Sequence, residues 1–228
     1  MSKTLKPISV GLVGLGTVAQ GTLRVLEQNR EELARRIGRA IEVTHVGARR
    51  DRDGVDLSHV KVSRDLMDVA VDPEDDIFVE LIGGTDYARE LIEAAIASGK
   101  HVVTANKALI AEHGNALFEK AQAQGVTIAF EAAVAGGIPV IKAIREGLAA
   151  NQINWLAGII NGTGNFILTA MRDDGRAFAD VLTEAQALGY AEADPTFDVE
   201  GIDAAHKLAI LASIAFGIPL TFDSVYTQ

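Results

Sequence analysis

Short apolar runs rich in β-branched residues alternate along the first part of the chain with longer stretches in which apolar side chains recur every three to four positions. The runs ISVGLV, IEVTHVGA, IFVELIG, HVVTA and VTIAF read as strands, and residues 17–35, 86–98 and 115–124 read as helices between them. A βαβα order of this kind predicts a parallel sheet with helices on both faces. Gly99 and Gly125 stand where helix C-caps belong, and VDPEDD reads as a solvated turn. After Phe130 the pattern changes. A glycine-rich loop, AVAGGIP, leads into a helix with Pro139 at its first position, then a strand, INWLAGIING. A helix over residues 178–188, an acidic stretch and an apolar helix over 201–216 follow, and IPLTFDSVYTQ reads as a last strand. The boundary falls within residues 131–139, which gives one domain over 1–135 and a smaller α+β domain over 136–228.

Composition narrows the classes of function. Against 21 Lys and Arg stand 31 Asp and Glu, a net charge of -10. That balance disfavours nucleic acid and anionic membranes as partners, because a phosphate-tracking surface needs a basic stripe and the cations here are scattered. The chain has no cysteine, which removes disulfides, thiolate metal sites and any thiol nucleophile. ISVGLVGLG is too short for a membrane span and too rich in glycine for a signal sequence, so a cytoplasmic location is expected.

Candidate chemistry begins at the first turn. In GLVGLGTVAQG, Gly14, Gly16 and Ala19 fit G-x-G-x-x-G/A between a strand and a helix that Thr17 and Val18 open. The turn must be tight at Gly14 and bare at Gly16 for a pyrophosphate to approach the backbone amides and the helix N-terminus. The expectation is a Rossmann-like doubly wound domain holding NAD(P). The second strand ends VGARRDR, where an NAD enzyme carries an acid for the ribose 2'-hydroxyl. Arg49 and Arg50 instead suit a 2'-phosphate and favour NADP over NAD; the other reading is a solvated basic loop. IGGTD places Gly83, Gly84 and Thr85, and VVTANKALIA places Thr104, Asn106 and Lys107, at strand ends where ligands of such sheets bind. The five histidines show no metal-ligand spacing and read as packed or surface residues.

The stretch GYAEADPTFDVEGIDAAHK crowds Glu192, Asp194, Asp198, Glu200 and Asp203 ahead of Lys207. Asp203 and Lys207 are four apart and share one helix face. On spacing alone they are either an exposed ion pair or a proton-transfer pair. GIINGTGNFIL, TANKALIA, EAAVAGGIP and this acidic tract together resemble the homoserine dehydrogenases, over essentially the whole chain. Where that family usually reads N-G-T-T-N-F, this chain has Gly164 at the second Thr.

The resemblance implies interconversion of L-homoserine and L-aspartate 4-semialdehyde by hydride transfer, in the biosynthesis of threonine, methionine and isoleucine. It implies that Glu192 holds the substrate amino group, that Tyr190, Asp198, Gly162 and Thr163 line the substrate, and that Asp203 and Lys207 stand at the reacting oxygen. Carboxylates crowded round a lysine favour its charged form. Lys207 therefore suits donation in the reductive direction, with Asp203 orienting it, and Lys107 is the second candidate for proton transfer. The resemblance also implies a monovalent cation, normally sodium, at Glu131 and the carbonyls of Val134, Gly136 and Ile138, although Gly136 and Gly137 also fit a plain turn. A homodimer through the second-domain sheet is implied as well. Family members continue past this C-terminus, so the expectation is part of a longer enzyme that by itself turns over slowly or not at all. A thiol-acylating semialdehyde dehydrogenase is excluded by the missing cysteine. An aspartate dehydrogenase and a nucleotide-binding dimerisation module without turnover remain as alternatives.

Overall fold

The computed structural model describes residues 5–227 and divides into two compact units, Met1–Ala133 and Val134–Gln228. In the first unit, β1 (Ile8–Val13), β2 (Ile41–Gly47), β3 (Lys61–Ser63), β4 (Ile77–Glu80), β5 (His101–Thr104) and β6 (Ile128–Ala129) form one parallel sheet in the order β3-β2-β1-β4-β5-β6. This is the doubly wound order whose reversal point lies beside β1. Leu12, Val13, Val46 and Phe78 in the strands are fully buried, as are Leu91, Ile92, Leu109, Ile110 and Leu117 in the helices. Each such side chain contributes about 1.5–3 kcal/mol.

The helices differ from the sequence expectation in instructive ways. The helix expected over residues 17–35 is two, α1 (Thr17–Gln28) and α2 (Arg30–Ile37), which break at Asn29. Asn29 turns both its backbone amide and its side-chain amide on the Val25 carbonyl, so the chain leaves the helical path there. Neither β3 nor the short α3 (Met67–Ala70) was expected, because KVS and MDVA are too short to show a period. α4 (Asp86–Ala97) ends at a Ser98 C-cap with Gly99 directly after it, and α5 (Lys107–Gln124) starts at Lys107 rather than at 115. Asn106 caps α5 by accepting the Leu109 amide at 3.2 Å, and Gly114 lies buried within the helix instead of breaking it.

The VDPEDD segment is a turn, but Asp75 in it is buried, which corrects the expectation of a solvated stretch. Its carboxylate accepts the Thr44 hydroxyl at 2.6 Å through Oδ1, and its Oδ2 has no hydrogen-bond partner among the described residues. Burial pushes the Asp75 carboxyl up. Buried His45 joins Asp72 Oδ2 at 2.9 Å through Nδ1 and Ser63 Oγ at 2.8 Å through Nε2. One ligand-type atom from each of His45, Asp72 and Asp75 lies within 4.8 Å of the others. Two lysines supply positive charge there: Lys61 Nζ is 2.7 Å from Asp72 Oδ2, and buried Lys100 donates to the carbonyls of Asp72 and Asp75.

Burial pushes Asp72 upward too, but hydrogen bonds from Lys61 and the Glu74 amide, with the charge of Lys61 and the contact to His45, hold it at about 2. A carboxyl lowered by folding contributes stability above its ordinary value of 3.8 and loses it as the pH falls towards 2. The urea midpoint of Asp72→Asn is therefore expected to lie below that of the wild type near neutral pH, with the gap closing through that acidic window. A gap that stays constant with pH would contradict the assignment.

The second unit is helical among the described residues. Pro139 is the N-cap, not the first residue, of α6 (Val140–Lys142), which runs into a π-helical turn over Ala143–Gly147. Then come α7 (Gly162–Asp174), α8 (Phe178–Ala187), α9 (Thr196–Val199) and α10 (Ile202–Phe216). α7 and α8 bury Ile167, Ala170, Val181 and Ala185, with Ala191 beyond them, and Phe166 and Leu182 close that cluster. The strand expected over INWLAGIING does not form, nor does one over residues 218–227, where a 3-10 turn spans Phe222–Ser224; Gln228 lies outside the described residues. A strand exists by its ladder of hydrogen bonds, and no described segment of this unit lies beside either stretch as a partner strand. Trp155 and Ile159 are consequently 76% and 80% exposed. His206 is packed between the rings of Phe197 and Phe222, at centroid distances of 6.1 and 4.4 Å.

Candidate functional site

Two clusters gather the candidate residues, one in each unit. In the first, β1 runs into Gly14, whose φ of +101° belongs to the left-handed region and whose added Cβ would stand 2.6 Å from the Leu81 carbonyl oxygen. No side chain fits there. Gly16 is the N-cap of α1 and has open space where its Cβ would be. It brings no side chain to the helix N-terminus, and Gly16, Thr17 and Val18 are all exposed, so the first-turn amides face outward with the positive end of the helix dipole.

Arg49 and Arg50 follow β2 on the exposed surface and form no hydrogen bond or ion pair among the described residues. Asp51, the acid nearest them in sequence, is held by Arg64 through both carboxylate oxygens at 2.7 and 2.8 Å. Arg64 also donates to the Ala48 carbonyl at 3.0 Å, which anchors the start of this loop.

The turns after β4 and β5 are organised by a residue that the sequence reading did not single out. Glu80 is fully buried, and its Oε1 accepts the amides of Ile82 and Gly83 at 2.8 and 3.0 Å. Its Oε2 accepts the Thr104 hydroxyl at 2.6 Å, and the Thr104 oxygen in turn accepts the Asn106 amide at 2.9 Å. Asn106 Nδ2 then reaches the Gly84 carbonyl at 2.6 Å. Thr104, expected to touch the cofactor, is thus buried and spends its hydroxyl on this network; it shapes the turn instead. Gly84 stays exposed beside Thr85, the half-buried N-cap of α4, and Lys107 opens α5, half-buried. A cavity of about 580 Å³ between α1 and the 54–60 loop, floored by Leu23, Val43, Val55 and Leu57, is lined by none of the candidate residues.

In the second unit, α10 places Asp203 in its first turn and Lys207 one turn later, both largely buried. Lys207 Nζ donates to Asp203 Oδ2 at 2.5 Å and to the Ile160 carbonyl at 2.7 Å. Asn161, which the sequence reading missed, donates to Asp203 Oδ2 at 2.8 Å and to Asp198 Oδ1 at 2.7 Å. Gly162 and Thr163 begin α7, and Thr163 Oγ1 donates to the Tyr190 carbonyl at 2.6 Å, while the Tyr190 ring lies edge-on to Phe166. The five acids therefore do not share one target. Asp198 and Asp203 belong to the lysine cluster. Asp194 accepts the amide and hydroxyl of Thr196, which hold its carboxyl below the usual range. The Glu192 side chain is exposed and forms no hydrogen bond or ion pair among the described residues.

Of the expected cation ligands, Glu131 lies in a 3-10 turn of the first unit and Val134, Gly136 and Ile138 in a loop of the second. That loop is sharply bent: Ala135 has φ +51° and Gly137 φ +88°, and the Ala135 carbonyl accepts the Ile138 amide at 2.8 Å. The Ile138 carbonyl also accepts the Val140 amide at 2.8 Å.

Comparison with known proteins bears on both clusters. The model of the family described as homoserine dehydrogenase matches residues 139–228, and that of the homoserine dehydrogenase NAD binding domain matches residues 14–131. A homoserine dehydrogenase of Pseudomonas aeruginosa is 69% identical over 98% of this chain and 52% of its own length. The crystal structure of a homoserine dehydrogenase from Thiobacillus denitrificans superposes with a TM-score of 0.93 at 63% identity, over 98% of this chain and 52% of that one. A hyperthermophilic archaeal homoserine dehydrogenase in complex with NADPH superposes with a TM-score of 0.81 at 28% identity, over 93% of this chain and 71% of that one. The chain spans about half the length of the curated relatives it matches.

Proposed function

Because the chain belongs to the homoserine dehydrogenase family, we propose that it serves the interconversion of L-homoserine and L-aspartate 4-semialdehyde with NADP(H), in the biosynthesis of threonine, methionine and isoleucine. The observation that carries this proposal is the Asp203–Lys207 pair, buried, directly bonded and tied to Asn161. Gly14, Gly16, Thr17, Val18, Gly84 and Thr85 would hold the dinucleotide, whose nicotinamide supplies hydride to, or accepts it from, C4 of the substrate. Lys207 presents its ammonium to the substrate oxygen, donates a proton during reduction and offsets the charge developing there. Asp203 orients that ammonium. Glu192, exposed and uncommitted, is available to the substrate amino group.

Preference for NADP is part of the proposal, supported by the unpaired Arg49 and Arg50 and by the commitment of Asp51 to Arg64. Fluorescence titration is expected to give NADPH at least several-fold tighter binding than NADH, a difference that Arg49→Ala reduces. Equal affinities in the wild type would remove the preference. The carbonyl loop at Val134, Gly136 and Ile138 would hold a monovalent cation, with Glu131 as its expected carboxylate; a left-handed alanine at 135 costs about 1–2 kcal/mol and persists only where the surroundings impose it. We also propose a homodimer through residues 152–161, where Trp155 and Ile159 stand exposed. A cytoplasmic location fits a chain in which no described helix is long and apolar enough to cross a membrane. The proposal is tested against an aspartate dehydrogenase by offering NADP+ with L-homoserine and with L-aspartate. Reduction of NADP+ by homoserine alone supports it, and reduction by aspartate alone contradicts it.

A further inference from the structure

A side-chain amide carries one acceptor oxygen and two N–H donors. Asn161 commits both ends within the second unit. Its Oδ1 accepts the Gly164 amide at 2.5 Å and so caps α7, while its Nδ2 donates to Asp198 on α9 and to Asp203 on α10. The orientation of the amide follows from chemistry: turned over, it would set an oxygen against two carboxylates and an NH2 against a backbone N–H. Glycine at 164 permits the short cap, since a Cβ there would stand 3.0 Å from Asn161 Oδ1.

The consequence for Lys207 is directional. Asp203 Oδ2 receives Asn161 Nδ2 and Lys207 Nζ on the same oxygen, and the Ile160 carbonyl, one residue before Asn161, holds Lys207 Nζ a second time at 2.7 Å. An ammonium has three N–H donors. With these two spent, one direction is left for a substrate oxygen. Both partners that fix this direction are themselves fixed by the chain at residues 160–161. Removing the amide would leave Asp198 and Asp203 without the donor between them.

We propose that Asn161 is a positioning residue for proton transfer: by pinning Asp203 beside the Ile160 carbonyl it aims the free N–H of Lys207 at the substrate oxygen. The proposal deepens the functional reading above and rests on Lys207 as the proton donor. A cap alone would use only Oδ1; the two donations to carboxylates are what assign Asn161 to the site.

Asn161→Ser separates the two roles, because Ser caps helices as well as Asn does but carries no amide donors. The protein expressed from its complete gene is assayed for thermal midpoint, for kcat and KM with L-aspartate 4-semialdehyde and NADPH, and for the titration of the Asp203 carboxyl by 13C NMR. Asn161→Ser is expected to melt within a few degrees of the wild type, to lose about tenfold or more in kcat, and to change KM by less than about threefold. In Asn161→Ser the Asp203 carboxyl is expected to titrate at a higher pH than in the wild type, because a donor to its charged form is gone. Unchanged kcat in Asn161→Ser, made in an active wild type, would overturn the proposal. If the wild type reduces no semialdehyde, the functional reading falls, and the titration then decides about Asn161 separately: an Asp203 that titrates alike in wild type and Asn161→Ser refutes the link, and a raised one upholds it.

Discussion

Lys207→Ala is expected to lower the turnover of semialdehyde reduction by about 10² or more, the scale for losing a positioned proton donor. The substitution removes the ammonium bonded to Asp203 Oδ2 at 2.5 Å and to the Ile160 carbonyl, and takes a charge-assisted hydrogen bond from that largely buried carboxylate, which Asn161 also contacts. No neighbouring side chain of the cluster can replace the lost proton, since Asp198 and Asp203 are acceptors when ionised. Glu192→Gln is expected to raise KM while sparing kcat, because Glu192 stands outside the Lys207–Asp203–Asn161 hydrogen bonds. The comparison with Lys107→Ala is what makes the assignment vulnerable. Near-normal turnover in Lys207→Ala together with loss of turnover in Lys107→Ala would transfer the donor role to the lysine that opens α5.

Gly14→Ala and Gly16→Ala are expected to fail differently, although both fall in one glycine pattern. At Gly14 a Cβ meets the Leu81 carbonyl oxygen at 2.6 Å and its carbon at 2.9 Å, on a backbone with φ +101°. Backbone strain and overpacking each cost about 1–3 kcal/mol. For a chain of this size that sum lowers Tm by about 4–24 °C. At Gly16 the φ is an ordinary -76° and no atom lies within 4 Å of the added Cβ, so the fold is indifferent to alanine. The same methyl, however, stands where a pyrophosphate approaches the first amides of α1. Gly16→Ala is therefore expected to melt within about 2 °C of the wild type and to bind NADPH about tenfold or more weakly. Differential scanning calorimetry and fluorescence titration read the two effects. A Gly16→Ala protein that binds NADPH as tightly as the wild type would show that this helix N-terminus does not hold the phosphates.

How far the sequence reached depended on how local the determining forces are. Strands β1 and β4 are nearly continuous apolar runs, a pattern that reports burial on both faces, and β2 and β5 were legible from their β-branched residues although polar positions interrupt them. The dinucleotide turn was legible for the same reason, since Gly14 and Gly16 act on their immediate neighbours. Helix ends were less so. The helix expected only from residue 115 starts at Lys107, with Gly114 buried inside it, and the glycines opening α7 concealed a helix that Asn161 caps from its side chain. Partners distant in sequence were not legible at all. Glu80 joins Thr104 across 24 residues, His45 joins Asp72 across 27, and Asn161 joins Asp203 across 42. Each of these is a polar residue whose role comes from what folding brings beside it. The INWLAGIING run shows the converse limit: its composition suits a strand, but a strand also needs a neighbour to bond with.

The most direct test is the rate of NADPH oxidation on adding L-aspartate 4-semialdehyde to the protein expressed from its complete gene, measured beside its Lys207→Ala variant. The account predicts oxidation that depends on the semialdehyde and falls by about 10² or more in the variant. NADPH that binds but is not oxidised by the semialdehyde, or that is oxidised equally fast by both proteins, would contradict it.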